Sequence, residues 1–264
     1  MRIKEYTSDL SARGWQDMHK LIHVQRKSKW DLREIVNGIF YLTKNGCMWR
    51  DLPGEFPPWQ TLYWYYRKWI IDGTWHNINR SMIADHRLGN DKHFQPTAAI
   101  IDSQSVKNSS TCTKEVGIDG GKLVKGRKRF YITDTLGDLL DCFVVSANCH
   151  DGTTAAKYWN TMCSENELLQ NIKLIFADGT FGGTFRKEMK EKHNIDVEIP
   201  DVPIARKGKV EIHEKRWIVE RTISWTLNNR RCSKDYERKT ENAKAFMMIT
   251  NIRRLVLLSD FKIN

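Results

Sequence analysis

The chain has 264 residues, of which 40% are hydrophobic and 28% charged, and this ordinary globular composition excludes disorder as the dominant state. No apolar run approaches the ~18 residues that a membrane span needs, and the N-terminal residues lack the apolar stretch of a secretory signal, so we predict a cytoplasmic protein without membrane association. The excess of 43 basic over 32 acidic residues gives a net charge of +11, which favours a polyanionic partner, nucleic acid above all.

Two amphipathic helices are predicted in the N-terminal part of the chain. Asp31 is a suitable N-cap for the first helix, and its apolar residues recur at steps of three and four until Asn45–Gly46 ends it. The second helix covers 59–70 and carries an aromatic stripe. Seven of the ten tryptophans precede residue 76. We therefore predict a helical, tryptophan-rich DNA-binding domain over 1–90, whose helix-turn-helix would meet DNA with the face opposite the aromatic stripe.

Short strands separated by turns follow from residue 96. The apolar run in TAAIIDSQSV predicts a buried strand that ends at Asp102. RKRFYIT and LLDCFVVSA predict two further strands, joined by a DTLGD hairpin turn with Gly137 at its tip. We expect Asp134, Asp138 and Asp141 in and beside this turn to be turn or solvent-facing residues.

Helices and strands alternate over the rest of the chain. A helix after Asp151, a strand ending at Asp178, a helix over 184–193 and a short strand VEIP give a β-β-β-α-β-α order. Two more helices are predicted, over about 213–229 and 241–258. The second domain, 96–264, is therefore predicted to be an α/β domain with flanking helices.

Two carboxylates are candidates for chemistry because of where their strands end. If the first three strands form a meander, a later strand reached through a helix can pair beside the first strand in the same direction, which brings Asp102 and Asp178 to one edge. Facing carboxylates repel each other unless a cation lies between them, and Mg²⁺ suits oxygen ligands. Taken singly, each aspartate is more typical of a turn or a cap than of a catalytic site, and Asp151 is expected to be an N-cap near the same edge.

Glu220 is the candidate for a third ligand. It lies in a predicted helix with Arg216 four residues before it and Ser224 four residues after it, so a cation and a carboxylate share one helix face. Two metal ions held by three carboxylates can promote in-line phosphoryl displacement. The alternative is that Arg216 and Glu220 form an ordinary surface ion pair.

Two basic segments are candidates for contacts with DNA phosphates. The first enters the second strand, and the second follows the Glu220 helix. Such clusters give sequence-independent, salt-dependent affinity, although the first is equally typical of a solvated loop. The predicted nucleic-acid-binding residues are Lys125, Arg127, Lys128, Arg129, Arg216, Arg230, Arg231 and Lys234.

Several strings of the sequence resemble those of a known family. DLREIVNGIFYLTKNGCMWRDLP, PPWQTLYWYYRKW and DGTW are similar to its N-terminal helical domain, and IIDSQSVK, GRKRFYITDTLG, IFADGTFGG and RWIVERTISWTLNNRRCSKDYE are similar to its catalytic domain. In this order they resemble the DDE-type transposases of bacterial insertion sequences, specifically the insertion-sequence five family, over residues 6–258.

The resemblance implies a ribonuclease-H-like fold and a DDE triad that falls on Asp102, Asp178 and Glu220. It also implies two bound Mg²⁺ (or Mn²⁺) ions, cleavage at the ends of the element and joining of the freed 3′-hydroxyls to target DNA. The implied partners are double-stranded DNA and a second copy, in a homodimer or larger synaptic assembly. The implied location is the bacterial cytoplasm, at the nucleoid when DNA is bound.

Two positions depart from the wider superfamily pattern of Tyr, two residues, Arg, three residues, Glu, six residues, Lys. Arg216 and Glu220 fit it, whereas His213 stands at the Tyr position and Leu227 at the Lys position. The missing cation would come from Lys234, Arg230 or Arg231. Two alternatives therefore stay open: a metal-dependent endonuclease that cuts without joining, and an inactive, transposase-derived DNA-binding protein.

Overall fold

The computed structural model describes residues 5–22, 29–199 and 214–261. Its helices are α1 (Ala12–His19), α2 (Leu32–Asn45), α3 (Trp59–Ile71), α4 (Thr74–Leu88), α5 (Asp151–Glu165), α6 (Thr184–His193), α7 (Glu214–Leu227) and α8 (Thr240–Phe261). Its strands are β1 (Ala98–Lys107), β2 (Gly117–Asp119), β3 (Val124–Thr133), β4 (Leu139–Ser146), β5 (Leu174–Phe176) and β6 (Asp196–Glu198). Within the described ranges, none of these helices combines the length and the apolarity needed to cross a bilayer.

Local signals determine where α2 begins and ends. The Asp31 carboxylate accepts a hydrogen bond from the backbone N–H of Arg33 at 2.9 Å, which satisfies a donor left free at the start of the helix. Gly46 ends it with a left-handed backbone (φ 71°), and its N–H donates to the Leu42 carbonyl. The predictions for α2 and α3 are confirmed, and α6 has the predicted bounds. His213, the predicted start of α7, lies outside the described residues.

The sheet has the topology that the strand order predicted. β1 pairs antiparallel with β3, β3 pairs antiparallel with β4, and β5 pairs parallel with β1. β6 extends the sheet beside β5, and β2 pairs with the start of β3. A helical N-terminal region followed by this mixed sheet with flanking helices is the ribonuclease-H-like architecture that we predicted.

Each face of the sheet packs into a separate hydrophobic core. Ala99 and Ile101 of β1 belong to the larger core, which α5 and α6 cover. Ile100, between them in sequence, belongs to the smaller core together with Val219 of α7 and Met247 of α8. This alternation follows from the two-residue period of a strand, and it places α7 over the face that holds Ile100.

The N-terminal helices share the larger core with α8. The Tyr66 hydroxyl of α3 donates to the Asn242 carbonyl at 2.8 Å, and the Tyr66 ring stacks on Phe246 with centroids 4.8 Å apart. In α4, Asn79 accepts from the Asn251 side chain at 2.9 Å. The change in composition near residue 90 is therefore not a break in packing, and the division into domains over 1–90 and 96–264 remains a prediction.

The aspartates near the β3–β4 turn are not solvent-facing, contrary to expectation. Asp134 does form the turn, because its carboxylate accepts from the backbone N–H groups of Leu136 and Asp138 at 2.9 Å each. All three aspartates are nevertheless buried. Their ion-pair partners are Arg87 for Asp134, His86 and Arg254 for Asp138, and Lys244 and His76 for Asp141.

Candidate active site

Strand register brings Asp102 and Asp178 to the same face of the sheet. The last pair of the parallel β1–β5 ladder is Ile100 with Phe176, and each aspartate follows its member of that pair by two residues. The chain at Asp178 is still extended (φ −84°, ψ 175°). Because side chains alternate along an extended chain, both carboxylates project toward the face where Ile100 and Phe176 pack beneath Val219 of α7.

The Asp102 carboxylate lacks enough neighbouring positive charge to offset its burial. Burial raises the pKa of Asp102 to about 6, and the nearby Asp178 carboxylate adds to this rise. A 2.7 Å hydrogen bond from the Ser103 backbone N–H and the charges of Arg216 and Lys122 lower the pKa without offsetting burial. A divalent cation would relieve this repulsion, so the paired oxygen donors fit Mg²⁺ or Mn²⁺.

A short turn after β5 fixes the Asp178 side chain. Asp178 is the N-cap of a single 3₁₀ turn, Gly179–Phe181, and its Oδ1 accepts from the Thr180 backbone N–H at 2.9 Å. The Thr180 hydroxyl also donates to this oxygen. Both hydrogen bonds use Oδ1, and the side chain is half-buried. Asp178 therefore does act as a cap, which was the alternative to a catalytic role. The cap uses Oδ1 and leaves Oδ2 available to a metal ion.

The structure does not gather Glu220 with the two aspartates. Its neighbour Val219 is buried in the smaller core, whereas 53% of the Glu220 side chain is exposed and one of its oxygens lies 3.6 Å from the Arg216 guanidinium. Among the described residues, no three carboxylate, histidine or cysteine side chains are close enough to bind one metal ion. Of the predicted triad, Asp102 and Asp178 therefore lie close together, whereas Glu220 lies apart from them on the adjoining helix α7.

Three cations of β3 that we expected to contact phosphate are buried, and this prediction needs correction. Arg127 is fully buried and donates to Asp235 and to the carbonyls of Lys114, Glu237 and Arg238. Arg129 donates to the carbonyls of Cys232 and Lys234, and Lys128 pairs with Asp151 at 2.6 Å. These side chains hold the segment after α7 and the start of α5 against the sheet. Little of their surface is therefore accessible to DNA.

The remaining cations that were predicted to bind DNA fall into two groups, one paired inside the protein and one at the surface. Arg231 is corrected as well, because it pairs with Glu237 at 2.5 Å and donates to the Cys47 carbonyl at 3.2 Å. The cations that stay at the surface are Lys125, Arg230 and Lys234, and Arg216 is half-exposed. Leu227, at the position of the superfamily lysine, is the last residue of α7.

Asp151 has a different position from the one that we predicted. The N-cap of α5 is His150, and Asp151 is the first helical residue. Its carboxylate accepts from Ser103 and Lys128. A sequence signal existed, since Asp151 follows the strand parallel to β1, but its partner Lys128 lies on another strand and only the fold shows the pairing.

Comparisons with known families agree with this architecture. The family model of the transposase DDE domain matches residues 93–254. A second model, of transposases of the IS4/5 family, matches residues 10–79. No curated protein matches the chain.

Proposed function

Because this chain belongs to the DDE transposases of IS4/5 type, we propose that it cuts phosphodiester bonds at the ends of an insertion sequence and joins the freed 3′-hydroxyls to target DNA. One observation carries the proposal. The β1–β5 register puts Asp102 and Asp178 on one face, where Asp102 has a pKa raised to about 6 by burial and by its acidic neighbour.

The residues proposed to bind two Mg²⁺ or Mn²⁺ ions are Asp102, Asp178 and Glu220. When bound, these ions would neutralise phosphate charge and activate the attacking hydroxyl or water. The Arg216–Glu220 pair is partly exposed and separated by 3.6 Å. Such a pair contributes only about 0–1 kcal/mol, so Glu220 can exchange it for a metal ion at little cost.

The side chains of this protein position the DNA over the carboxylates. Arg216 is close enough to affect the pKa of Asp102, so once Glu220 binds metal the guanidinium is placed to contact a phosphate beside the cleaved bond. The exposed cations Lys125, Arg230 and Lys234 would hold the flanking backbone. Their contacts are to phosphates and carry no sequence information.

An assembly of at least two copies is part of the proposal, because the two ends of an element must be cut in concert. We propose a homodimer or larger synaptic complex on double-stranded DNA, working in the bacterial cytoplasm at the nucleoid. The net charge of +11 favours this association with DNA.

The test uses the purified protein and DNA that carries the inverted repeats flanking its own gene. With Mg²⁺ we expect cuts at the element ends and, with target DNA present, joined products. Asp178→Asn is the control, and it should bind the DNA without cutting it. Cutting without joined products would identify an endonuclease instead. Tight binding without cutting by either protein would identify an inactive DNA-binding relative, which the separation of Glu220 from the aspartates would then explain.

A further inference from the structure

One oxygen of Asp151 connects the two candidate metal ligands. Asp151 Oδ2 accepts a hydrogen bond from the Ser103 hydroxyl at 2.9 Å. It also lies 3.4 Å from the Thr180 hydroxyl oxygen, whose hydrogen is directed at the nearer Asp178 Oδ1. Ser103 donates its backbone N–H to Asp102, and Thr180 donates its backbone N–H to Asp178. The same carboxylate oxygen therefore contacts the residue that orients each aspartate, through a hydrogen bond at Ser103 and a longer contact at Thr180.

Asp151 is itself held rigidly. Its other oxygen accepts from the Lys128 ammonium at 2.6 Å, and this lysine is buried and also donates to the Cys149 carbonyl at 2.9 Å. Charge-assisted bonds of this length are among the stronger ones in proteins. Lys128 lies on β3 and Asp151 begins α5, so the carboxylate is fixed relative to the sheet from two elements.

The contacts of Asp151 with Ser103 and Thr180 lie at the end of the β1–β5 ladder. β5 is only three residues long, and the β1–β5 pairing ends before either aspartate. The contacts of Asp151 with the Ser103 and Thr180 hydroxyl groups continue the connection between the two segments where the ladder stops. Without them, little would fix the distance between Asp102 and Asp178 on this side.

We propose that Asp151 is a positioning residue that sets the separation of Asp102 and Asp178 for metal binding, an inference that rests on the proposed function. In this role it would bind neither metal nor DNA itself, and it acts through Ser103 and Thr180. Partners of this kind behind metal ligands contribute about 10–100-fold to metal affinity or activity. Lys128, predicted to contact phosphate, is thereby given an internal role as the counter-ion of Asp151.

Ser103→Ala is the sharpest variant, because it removes one hydroxyl of this connection and keeps the backbone N–H that bonds Asp102. Ser105→Ala is its matched control. Ser105 lies two residues further along the same face of β1, and its hydroxyl donates to Asp119 instead. We would measure the Mn²⁺ dissociation constant of the full chain by calorimetry, the metal-free melting temperature, and the Mn²⁺ concentration for half-maximal cleavage.

We expect Ser103→Ala to weaken Mn²⁺ binding about tenfold, with cleavage largely restored at saturating Mn²⁺ and a melting temperature like that of Ser105→Ala. A second variant, Asp151→Ala with Lys128→Met, removes the carboxylate that contacts both hydroxyl groups together with its counter-ion. Asp119, which lies 3.8 Å from Lys128, keeps its hydrogen bond from the Ser105 hydroxyl. This double variant should weaken Mn²⁺ binding at least as much, and adding Ser103→Ala should cause no further loss.

The outcomes separate this inference from the proposed function. Equal Mn²⁺ affinity of Ser103→Ala and Ser105→Ala, while the wild type binds Mn²⁺ and cuts DNA, overturns the positioning role alone. A double variant that binds Mn²⁺ like the wild type also overturns the positioning role. This second measurement decides the question even if the Ser103→Ala protein does not fold. A wild type that neither cuts DNA nor binds Mn²⁺ more tightly than Asp102→Asn overturns the proposed function, and the inference with it.

Discussion

Two aspartates of the sheet, Asp141 on β4 and Asp102 on β1, have opposite electrostatic environments. Asp141 is buried, yet the Lys244 ammonium at 2.9 Å and His76 at 3.6 Å outweigh burial and hold its pKa well below the usual range. Burial also acts on Asp102, but there the nearby Asp178 carboxylate adds to the effect, and the charges of Arg216 and Lys122 do not offset it. The pKa of Asp102 therefore rises to about 6. The protein therefore balances the negative charge of Asp141 with its own cation, whereas it leaves the negative charge of Asp102 unbalanced.

The difference distinguishes stabilising carboxylates from those available to a ligand. A carboxylate with its own cation and hydrogen bonds adds to the stability of the fold, and removing the cation is costly. A carboxylate beside another carboxylate costs stability until an external cation arrives. Residue type and strand position do not separate the two cases, whereas the charges around each group do.

The largest expected effect comes from the uncompensated site. Asp102→Asn removes a metal ligand and should reduce cleavage of end DNA by at least about 1000-fold, as losses of catalytic groups do. The melting temperature should stay the same or rise, because the change removes charge repulsion. Cleavage assays and thermal melts would check both, with DNA affinity measured alongside. A lower melting temperature together with lost DNA binding would instead mean that Asp102 is structural.

The compensated site should respond in the opposite way. Lys244→Met leaves the buried Asp141 with His76 and the Asn166 amide as its side-chain partners. Because these partners remain and Lys244 is partly exposed, we expect the free energy of unfolding to fall by about 2 kcal/mol, less than for a fully buried pair. Denaturant unfolding would measure the change. Lys239→Met is the matched control, because Lys239 makes a 3.5 Å ion pair with Glu241 at the surface and should contribute less than about 1 kcal/mol. Equal effects of the two variants would contradict the comparison.

The low pKa of Asp141 predicts a pH dependence of stability. Because its folded-state pKa is lowered, ionised Asp141 stabilises the fold above its unfolded pKa of about 4, and this contribution is lost as the pH falls further. Unfolding free energies of the wild type should therefore decline below about pH 4, and Asp141→Asn should decline less steeply from a lower starting value. Parallel curves for the two proteins would show that other groups cause the acid sensitivity.

Exposed and buried cations extend the comparison to positive charge, and the smallest effect of all is expected at an exposed one. Lys125→Gln should weaken DNA binding a few-fold without regard to sequence, and should reduce the slope of log affinity against log salt by about 0.9. Arg127→Met should instead destabilise the fold by about 3 kcal/mol, because it leaves Asp235 buried without its cation. Salt titrations of DNA binding and unfolding curves would separate the two. An unchanged salt slope for Lys125→Gln would remove that residue from the interface.

Much of the fold was predictable because its signals are local. Asp31 and Gly46 bound α2 through capping geometry that the sequence shows directly. The convergence of Asp102 and Asp178 followed from strand order alone, because a strand returning through a helix pairs parallel to β1.

What could not be predicted depends on distant partners. Arg127 appears in a basic run typical of a surface loop, yet its acceptors include Asp235, which is 108 residues away in sequence. α4 was not predicted because its buried face includes the polar Asn79 and Arg87, which weakens the apolar pattern. The position of Glu220 relative to the aspartates depends on how α7 packs, which no periodicity encodes.

The packing of α8 against the N-terminal helices imposes an order on biosynthesis. About 150 residues separate the end of α4 from the start of α8, and a ribosome adds about 5–20 residues per second. For about 8–30 s, therefore, Tyr66 and Asn79 are already synthesised while their partners on α8 are not. The N-terminal helices complete their core only after α8 leaves the ribosome, so their packing cannot be finished while the sheet is being synthesised.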